Sequence, residues 1–315
     1  MTAPARSFAT CAGTLEMGER PLLMGIVNAT PDSFSDAGLH QTLEERVALA
    51  RTLLAAGAQI IDIGGESGVT NATAVDPAEE IARVVPLIER VTGELGALVS
   101  VDTYKPPVAR AAIAAGAAIV NDVSGLRDPV LADVCAETGA GLILMHTRAA
   151  PKQQLLDPSL DDAIVEDVES FLRERIALAL ERGVRFEQLM LDPGPDFSKT
   201  PAQTVAVLRA VQRLHALERP VLLAASRKDF IGAITARPPR GRLAGTLAAL
   251  GFGADAGIHV FRVHDVADAA DFLAVRAVLR GEQALDSGAR LPDRLRWEQR
   301  SSPAGSAQAG EGVGR

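Results

Sequence analysis

At 315 residues, with 47% hydrophobic and only 3% aromatic content, the chain is long enough for one large α/β domain whose core is built from Ala, Leu, Val and Ile. A formal net charge of −8 argues against a general nucleic-acid or anionic-membrane surface, since both need clustered cations. Cys11 and Cys135, the only 2 cysteines, lack metal-ligand or disulfide-framework spacing, and neither a leader pattern nor an apolar run of about 18 to 20 residues is present, so a soluble cytoplasmic protein with free thiols is expected.

Residues 1–20 hold a short hairpin pattern around Gly13 and Gly18, placed to cap the closed end of a barrel. The apolar run from Leu22 then stops abruptly at Asn28, in a loop dense in Thr, Pro, Asp, Ser and Gly, so that a buried strand delivers polar groups to one rim. An ordinary βα turn would share much of that pattern. Residues 42–58 read as an amphipathic helix with Thr42 as N-cap and Glu45 at capping-box spacing. Further strands are predicted at 59–63, 97–102, 117–121, 141–146, 187–192, 220–226 and 258–263, with helices at 77–95, 106–115, 160–182, 201–217, 242–255 and 265–280. Eight predicted strands alternating with seven predicted helices read as a single (β/α)8 TIM barrel over residues 21–285. Residues 286–315, rich in Ser, Gly, Ala and Arg without apolar period, read as a disordered tail. A doubly wound open sheet is the alternative, but no Gly-x-Gly-x-x-Gly follows the first strand.

Polar residues fall at the C-terminal ends of almost every predicted strand: Asn28, Glu66, Asp102, Asn121, His146, Asp192, Lys228 just past Ser226, then Arg262 and His264. A single Asp after a strand more often caps the next helix, but repetition around a barrel places these groups at one mouth. Asp102, Asn121 and Asp192 form a recognition set for the donors and acceptors on the edge of a flat heterocycle. Arg262 and His264 alternate with strand period and share a face, a pair suited to a diphosphate, although Arg262 would equally suit a salt bridge at the rim. His40 and His215 read as solvated, His259 as packed within the last strand, and His146 with Arg148 as wall of the mouth.

The stretch Val27-Asn28-Ala29-Thr30-Pro31-Asp32-Ser33-Phe34-Ser35-Asp36 resembles the first signature of the dihydropteroate synthase family, and matches continue in the family's order to about Gly281. Val101-Asp102-Thr103, Asn121 to Gly125 and Leu191 to Gly194 are similar to its pterin-pocket motifs. Ser226-Arg227-Lys228 resembles its lysine motif, and Arg262-Val263-His264-Asp265-Val266 its anion motif. The resemblance implies an alkyl transferase of folate biosynthesis, joining a 6-hydroxymethyl-dihydropterin diphosphate to p-aminobenzoate with release of diphosphate and no covalent enzyme intermediate. It further implies pterin contacts from Asp102, Asn121, Asp192 and Lys228, diphosphate contacts from Arg262 and His264, and an Asn28 oxygen on Mg²⁺. Asp36 would stabilise a cationic methylene as its loop closes, and Lys228 would fix the pterin and balance the carboxylates. A homodimer acting on small molecules, without nucleic acid or membrane, is expected.

Three departures stand out. After Gly64-Gly65-Glu66-Ser67 the family continues with Thr or Ser and then Arg-Pro-Gly, whereas this chain has Gly68-Val69-Thr70-Asn71. Asp229 replaces a serine, and Asp-Pro-Gly-x-Gly-Phe becomes Asp192-Pro193-Gly194-Pro195-Asp196-Phe197. The pterin and diphosphate half is therefore expected intact and the second-substrate half rebuilt against an aromatic carboxylate. The alternatives are a divergent pterin-binding paralogue, with altered or no p-aminobenzoate activity, and a methyltransferase using a methylated tetrahydrofolate.

Overall fold

The computed structural model describes residues 5–18, 20–30, 42–67 and 73–296. It opens with an antiparallel hairpin, β1 (Arg6–Thr10) and β2 (Gly13–Met17). The chain then runs through β3 (Leu22–Asn28), α1 (Leu43–Ala55), β4 (Ile60–Gly64), α2 (Pro77–Leu95), β5 (Leu98–Asp102), α3 (Pro106–Ala114), β6 (Ile119–Asp122), α4 (Val130–Thr138) and β7 (Gly141–Met145). It continues through α5 (Ile164–Glu181), β8 (Leu189–Asp192), α6 (Pro201–Arg209), β9 (Leu222–Leu223), α7 (Asp229–Thr235), α8 (Leu243–Asp255), β10 (Val260–Val263) and α9 (Val266–Leu279). The parallel strands pair in the order β8-β7-β6-β5-β4-β3-β10-β9, and a parallel bridge between Leu191 and Val221 joins the two ends. The result is the (β/α)8 barrel that the alternation of apolar runs and helical periods predicts.

Local chemistry explains the clearest elements. Thr42 and Glu45 form the expected capping box at the start of α1, with reciprocal bonds of 2.9 and 3.2 Å. Two helices have no counterpart in the sequence pattern. At α4, entered from Pro129, the cap is Asp128 one residue earlier, which accepts from the Val130 N–H at 3.0 Å, whereas the 7-residue α7, entered from Lys228, has no side-chain cap from its own N-cap residue and lacks the usual start signal. The predicted helix at 160–182 begins only at Ile164, after a 3₁₀ turn at Pro158–Leu160, and the one at 201–217 becomes 3₁₀ over Val211–Leu217. The strand predicted at 220–226 is a ladder only over Leu222–Leu223.

The chain divides into two units, residues 1–276 and 277–315. The described part of the second contains a 3₁₀ turn at Asp293–Leu295. The predicted tail beyond residue 296 lies outside the described residues.

Helices pack outside the strands in one apolar layer, and a second cluster fills the barrel's N-terminal end. There Phe8 and Met17 of the hairpin meet Met24, Ile60, Ile119, Ile143, Met190, Leu222 and Val260, contributed by successive barrel strands. Gly141 makes room for the plug, because a Cβ at that position would lie 2.5 Å from Phe8 Cζ. With that end closed, polar chemistry is confined to the opposite end. Phe8→Ala is expected to cost about 3 to 5 kcal/mol in urea unfolding, the range for emptying a packed aromatic site; a loss below about 1 kcal/mol would mean that the hairpin does not plug the barrel.

Candidate active site

A cavity of about 730 Å³ opens at the C-terminal ends of the strands. Asn28, Asp102, Asn121, Asp192, Lys228, Arg262 and His264 all line it, so the described residues assigned to substrate or metal stand at one mouth. The parallel ladders account for this convergence, with Asn28 beside Gly64, Gly64 beside Asp102 and Asp102 beside Asn121. Asp36, His40 and Val69 lie outside the described residues.

The electrostatic centre of the mouth is Arg262. Its Nε donates to Asp62 Oδ2 at 2.6 Å and its Nη2 to Asp102 Oδ2 at 2.8 Å. Thus Arg262 makes the ion pairs that the rim reading allows and still lines the cavity. Asp62 is fully buried, accepts also from Asn121 Nδ2 at 3.3 Å, and keeps one oxygen without a partner among the described residues. The sequence reading missed it, although a lone carboxylate inside the apolar run Ile60-Ile61-Asp62-Ile63 was a signal, because a buried charge needs a cation. Burial pushes the Asp102 carboxyl up, to about 7, with Arg262 opposing and Asp62 reinforcing. Burial also raises Asp192, against an N–H bond of 2.7 Å from Gly194. The Lys228 ammonium is lowered by burial, with Asp196 and Asp192 drawing it back. Burial would lower Arg262 as well, but Asp62 and Asp102 outweigh it and hold the guanidinium above its ordinary value.

His264 is tied to Ser226. The Ser226 hydroxyl accepts from the His264 backbone N–H at 3.2 Å and lies 2.9 Å from Nδ1, so it is set to donate there and leave Nε2 protonated. Burial, helped by Arg227 and Arg262, lowers this imidazole to about 3. It is a neutral donor at neutral pH.

His146 differs from the sequence reading. Its ring is fully buried behind the cavity and does not form the wall. Nε2 lies 3.1 Å from Asp167 Oδ2 and Nδ1 lies 2.7 Å from Lys199 Nζ, an arrangement satisfied when Nε2–H donates to Asp167 and Lys199 donates to Nδ1. Burial and Lys199 together lower this ring to about 4. Lys199 donates also to the carbonyls of Gly194 at 2.9 Å and Phe197 at 3.2 Å, and burial lowers it to about 7. The ammonium therefore has three acceptors for three protons and braces the loop after β8. A loop lysine with no strand-end position gave no sequence signal of this. Gly194 is required in the same loop: its φ is +61°, and a Cβ would lie 2.1 Å from the His146 carbonyl oxygen. His215 is likewise half-buried rather than solvated, with Nε2–H donating to the Ala256 carbonyl at 2.9 Å, whereas His259 is packed as expected.

On the other flank, Lys105 bridges Glu66 and Glu80 at 2.6 Å each, and Lys152 reaches Glu66 at 2.9 Å. Burial alone would raise Glu66, but Lys105 and Lys152 outweigh it and bring it below its ordinary value. Asp229 lines the cavity as expected, but its side chain is 84% exposed and pairs with Arg242 Nη1 at 2.7 Å, so its charge is opposed rather than unanswered.

Among the described residues no group of three or more His, Cys, Asp or Glu is placed to hold a metal. Asn28 offers one neutral oxygen at the cavity wall. So small a donor set fits Mg²⁺, which keeps several waters and takes ligands from a substrate's phosphates.

The barrel, its plugged bottom and a cavity at the opposite end lined by carboxylates, an amide and cations are the architecture of a (β/α)8 enzyme with a small-molecule site. Residues 24–264 match the family model described as "Pterin binding enzyme". The chain is 43% identical over 258 residues to the dihydropteroate synthase of Bacillus subtilis, covering 82% of this chain and 88% of that one. A solved structure of Xanthomonas albilineans dihydropteroate synthase with 4-aminobenzoic acid superposes with a TM-score of 0.78 at 43% identity, covering 87% of this chain and 98% of that one. Another, in complex with 7,8-dihydropteroate, gives 0.76 at 44% identity, covering 86% and 97%. The chain belongs to the dihydropteroate synthase family of pterin-binding enzymes.

Both imidazoles, His146 buried and His264 half-buried at the cavity wall, are expected to titrate well below the usual 6.5 or so, His146 near 4 and His264 near 3, each as the Nε2–H tautomer. Nitrogen-15 NMR of the rings checks this, and a midpoint above about 6 for either would overturn it. The sign for stability follows: the unfolded rings take up protons near 6.5 and the folded ones do not, so stability is withdrawn as pH falls below about 6.5. Asp102, raised to about 7, opposes this by returning stability as pH falls.

Proposed function

We propose that this chain is a dihydropteroate synthase acting on a 6-hydroxymethyl-dihydropterin diphosphate and p-aminobenzoate, with release of diphosphate. The observation that carries the reading is the convergence of Asp102, Asn121, Asp192 and Lys228 with Arg262 and His264 on one cavity. Relatives solved with 4-aminobenzoic acid and with 7,8-dihydropteroate support both halves of the assignment. A methyltransferase would need the same pterin set but no anion site, and Arg262 with His264 favours the synthase.

In this reading Asp102, Asn121 and Asp192 receive the N–H groups of the pterin edge, and Lys228 donates to its acceptor side. The arylamine nitrogen attacks the exocyclic methylene, the carbon–oxygen bond breaks with its electron pair leaving on diphosphate, and the nitrogen loses its proton to water. Arg262, anchored through Nε and Nη2, keeps Nη1 for an anion, and neutral His264 offers Nε2–H. Preformed donors of this kind stabilise charge as it develops on the leaving group. Mg²⁺ held through Asn28 would supply further neutralisation of the diphosphate. The paired, exposed Asp229 leaves the second substrate's carboxylate acceptable at the mouth.

The working form in this proposal is a cytoplasmic homodimer. Exposed Ile234, Phe252 and Val275 on the outer helices support an interface. No helix of the described residues is long and apolar enough to cross a membrane.

Turnover of the pterin diphosphate with p-aminobenzoate in Mg²⁺, releasing one diphosphate per dihydropteroate, is the direct test, and its absence would sink the reading. Arg262→Lys should weaken pterin diphosphate binding by about tenfold or more and leave a pterin without diphosphate nearly unaffected, because a point charge cannot replace a planar fork. Equal losses in calorimetry would make Arg262 a structural residue. Asp229→Ser should change KM for p-aminobenzoate by less than about fivefold, since exposed ion pairs contribute little; a larger improvement would show that the carboxylate repels the substrate after all.

A further inference from the structure

Asp196 stands where the family motif Asp-Pro-Gly-x-Gly-Phe carries its second glycine, and the backbone there is left-handed, with φ +65°. Aspartate tolerates that region better than most residues, yet glycine is at ease in it. The side chain makes bonds that glycine could not. Oδ2 accepts from the backbone N–H of Asp229 at 2.5 Å and of Phe230 at 3.2 Å, while Oδ1 accepts from Thr204 Oγ1 at 3.0 Å. Thr204 Oγ1 in turn accepts from the Asp196 N–H at 3.0 Å.

The two amides belong to the first turn of α7, whose own N-cap residue, Lys228, supplies no side-chain cap. The cap therefore comes from a different loop, satisfying donors that a helix start otherwise leaves open. A second tie joins the same two loops: Lys228 Nζ lies 4.1 Å from the ring centroid of Phe197, the residue next to Asp196. The supporting loop is itself held, since Ser198 Oγ lies 3.2 Å from Thr147 Oγ1 and accepts from Ala149 N–H at 2.9 Å, and Lys199 is bonded to His146. Asp196 is also the carboxylate that does most to keep the Lys228 ammonium charged against its burial.

We infer that Asp196 is a positioning residue that acts through Lys228, holding the turn on which this ammonium stands against the wall of the mouth. The inference rests on the reading above that Lys228 faces a pterin. Asp196→Gly is a clean test because it removes the cap while suiting the backbone, and Asp196→Asn keeps an acceptor oxygen for the α7 amides and an amide for Thr204. In calorimetry with the pterin diphosphate, Asp196→Gly should raise Kd about tenfold and Asp196→Asn less than about threefold. In a Lys228→Met background, adding Asp196→Gly should cost less than about twofold, since the group through which it acts is gone. In the ligand-free protein, the Asp229 and Phe230 amides should exchange faster in Asp196→Gly than in wild type, and near the wild-type rate in Asp196→Asn.

An unchanged Kd in Asp196→Gly, an Asn variant as weak as the Gly variant, or a full tenfold loss persisting in the Lys228→Met background would overturn the inference. Were the wild type to bind no pterin, the functional reading would fall instead, and the exchange comparison would still decide whether Asp196 holds the Lys228 turn.

Discussion

Asp62, Asp102 and Asp192 are set into one barrel wall, and this concentration of negative charge is tolerable only because Arg262 and Lys228 stand among them. Carboxylates taken out of water need cations within bonding distance, and removing one partner leaves a charge with nowhere to go. The barrel meets the demand topologically. Arg262 sits on β10 and reaches past β3 to partners on β4 and β5, a span available only across the interior of a closed sheet. Closure of the ring and charge balance at the mouth are one requirement seen from two sides.

The loops above the wall are fastened to each other rather than to their own strands alone. After β8 the chain passes through left-handed residues at Gly194, Asp196 and Ser198 within a few positions. Such conformations persist when surrounding bonds over-determine them, and here side chains of that loop bond to groups following β7 and to the start of α7. Mobility of any one loop is thereby coupled to its neighbours. The imidazoles of the mouth and its support fit the same logic: His146 and His264 act as neutral, fixed donors and acceptors, kept so by desolvation and by nearby cations.

Much of this was readable from the chain alone because the signals were local. The apolar runs, the Thr42 and Glu45 capping box and the polar residue at nearly every strand end depend only on neighbours in sequence. What escaped depends on distant partners. Asp62 becomes intelligible once Arg262 is known to lie across the barrel from it, and α7 once Asp196 is known to cap it from another loop. His146 shows the limit of counting strand ends: it follows β7 directly, yet its ring turns away from the cavity to Asp167 and Lys199. Asp229 carried an alarming charge in sequence, and the cation that answers it, Arg242, enters from the start of the next helix.

The plug at the closed end has a consequence for the order of assembly. The hairpin is synthesised before the barrel, but its seat is composed of side chains spread from Met24 to Val260, with Gly141 supplying the gap for the Phe8 ring and Arg219 donating to the Ser7 carbonyl at 3.1 Å. On a ribosome the segment must wait, exposed, until almost the whole barrel has emerged, and its docking then closes some of the longest loops in the molecule. A part made ahead of the barrel is among the last that can find its place.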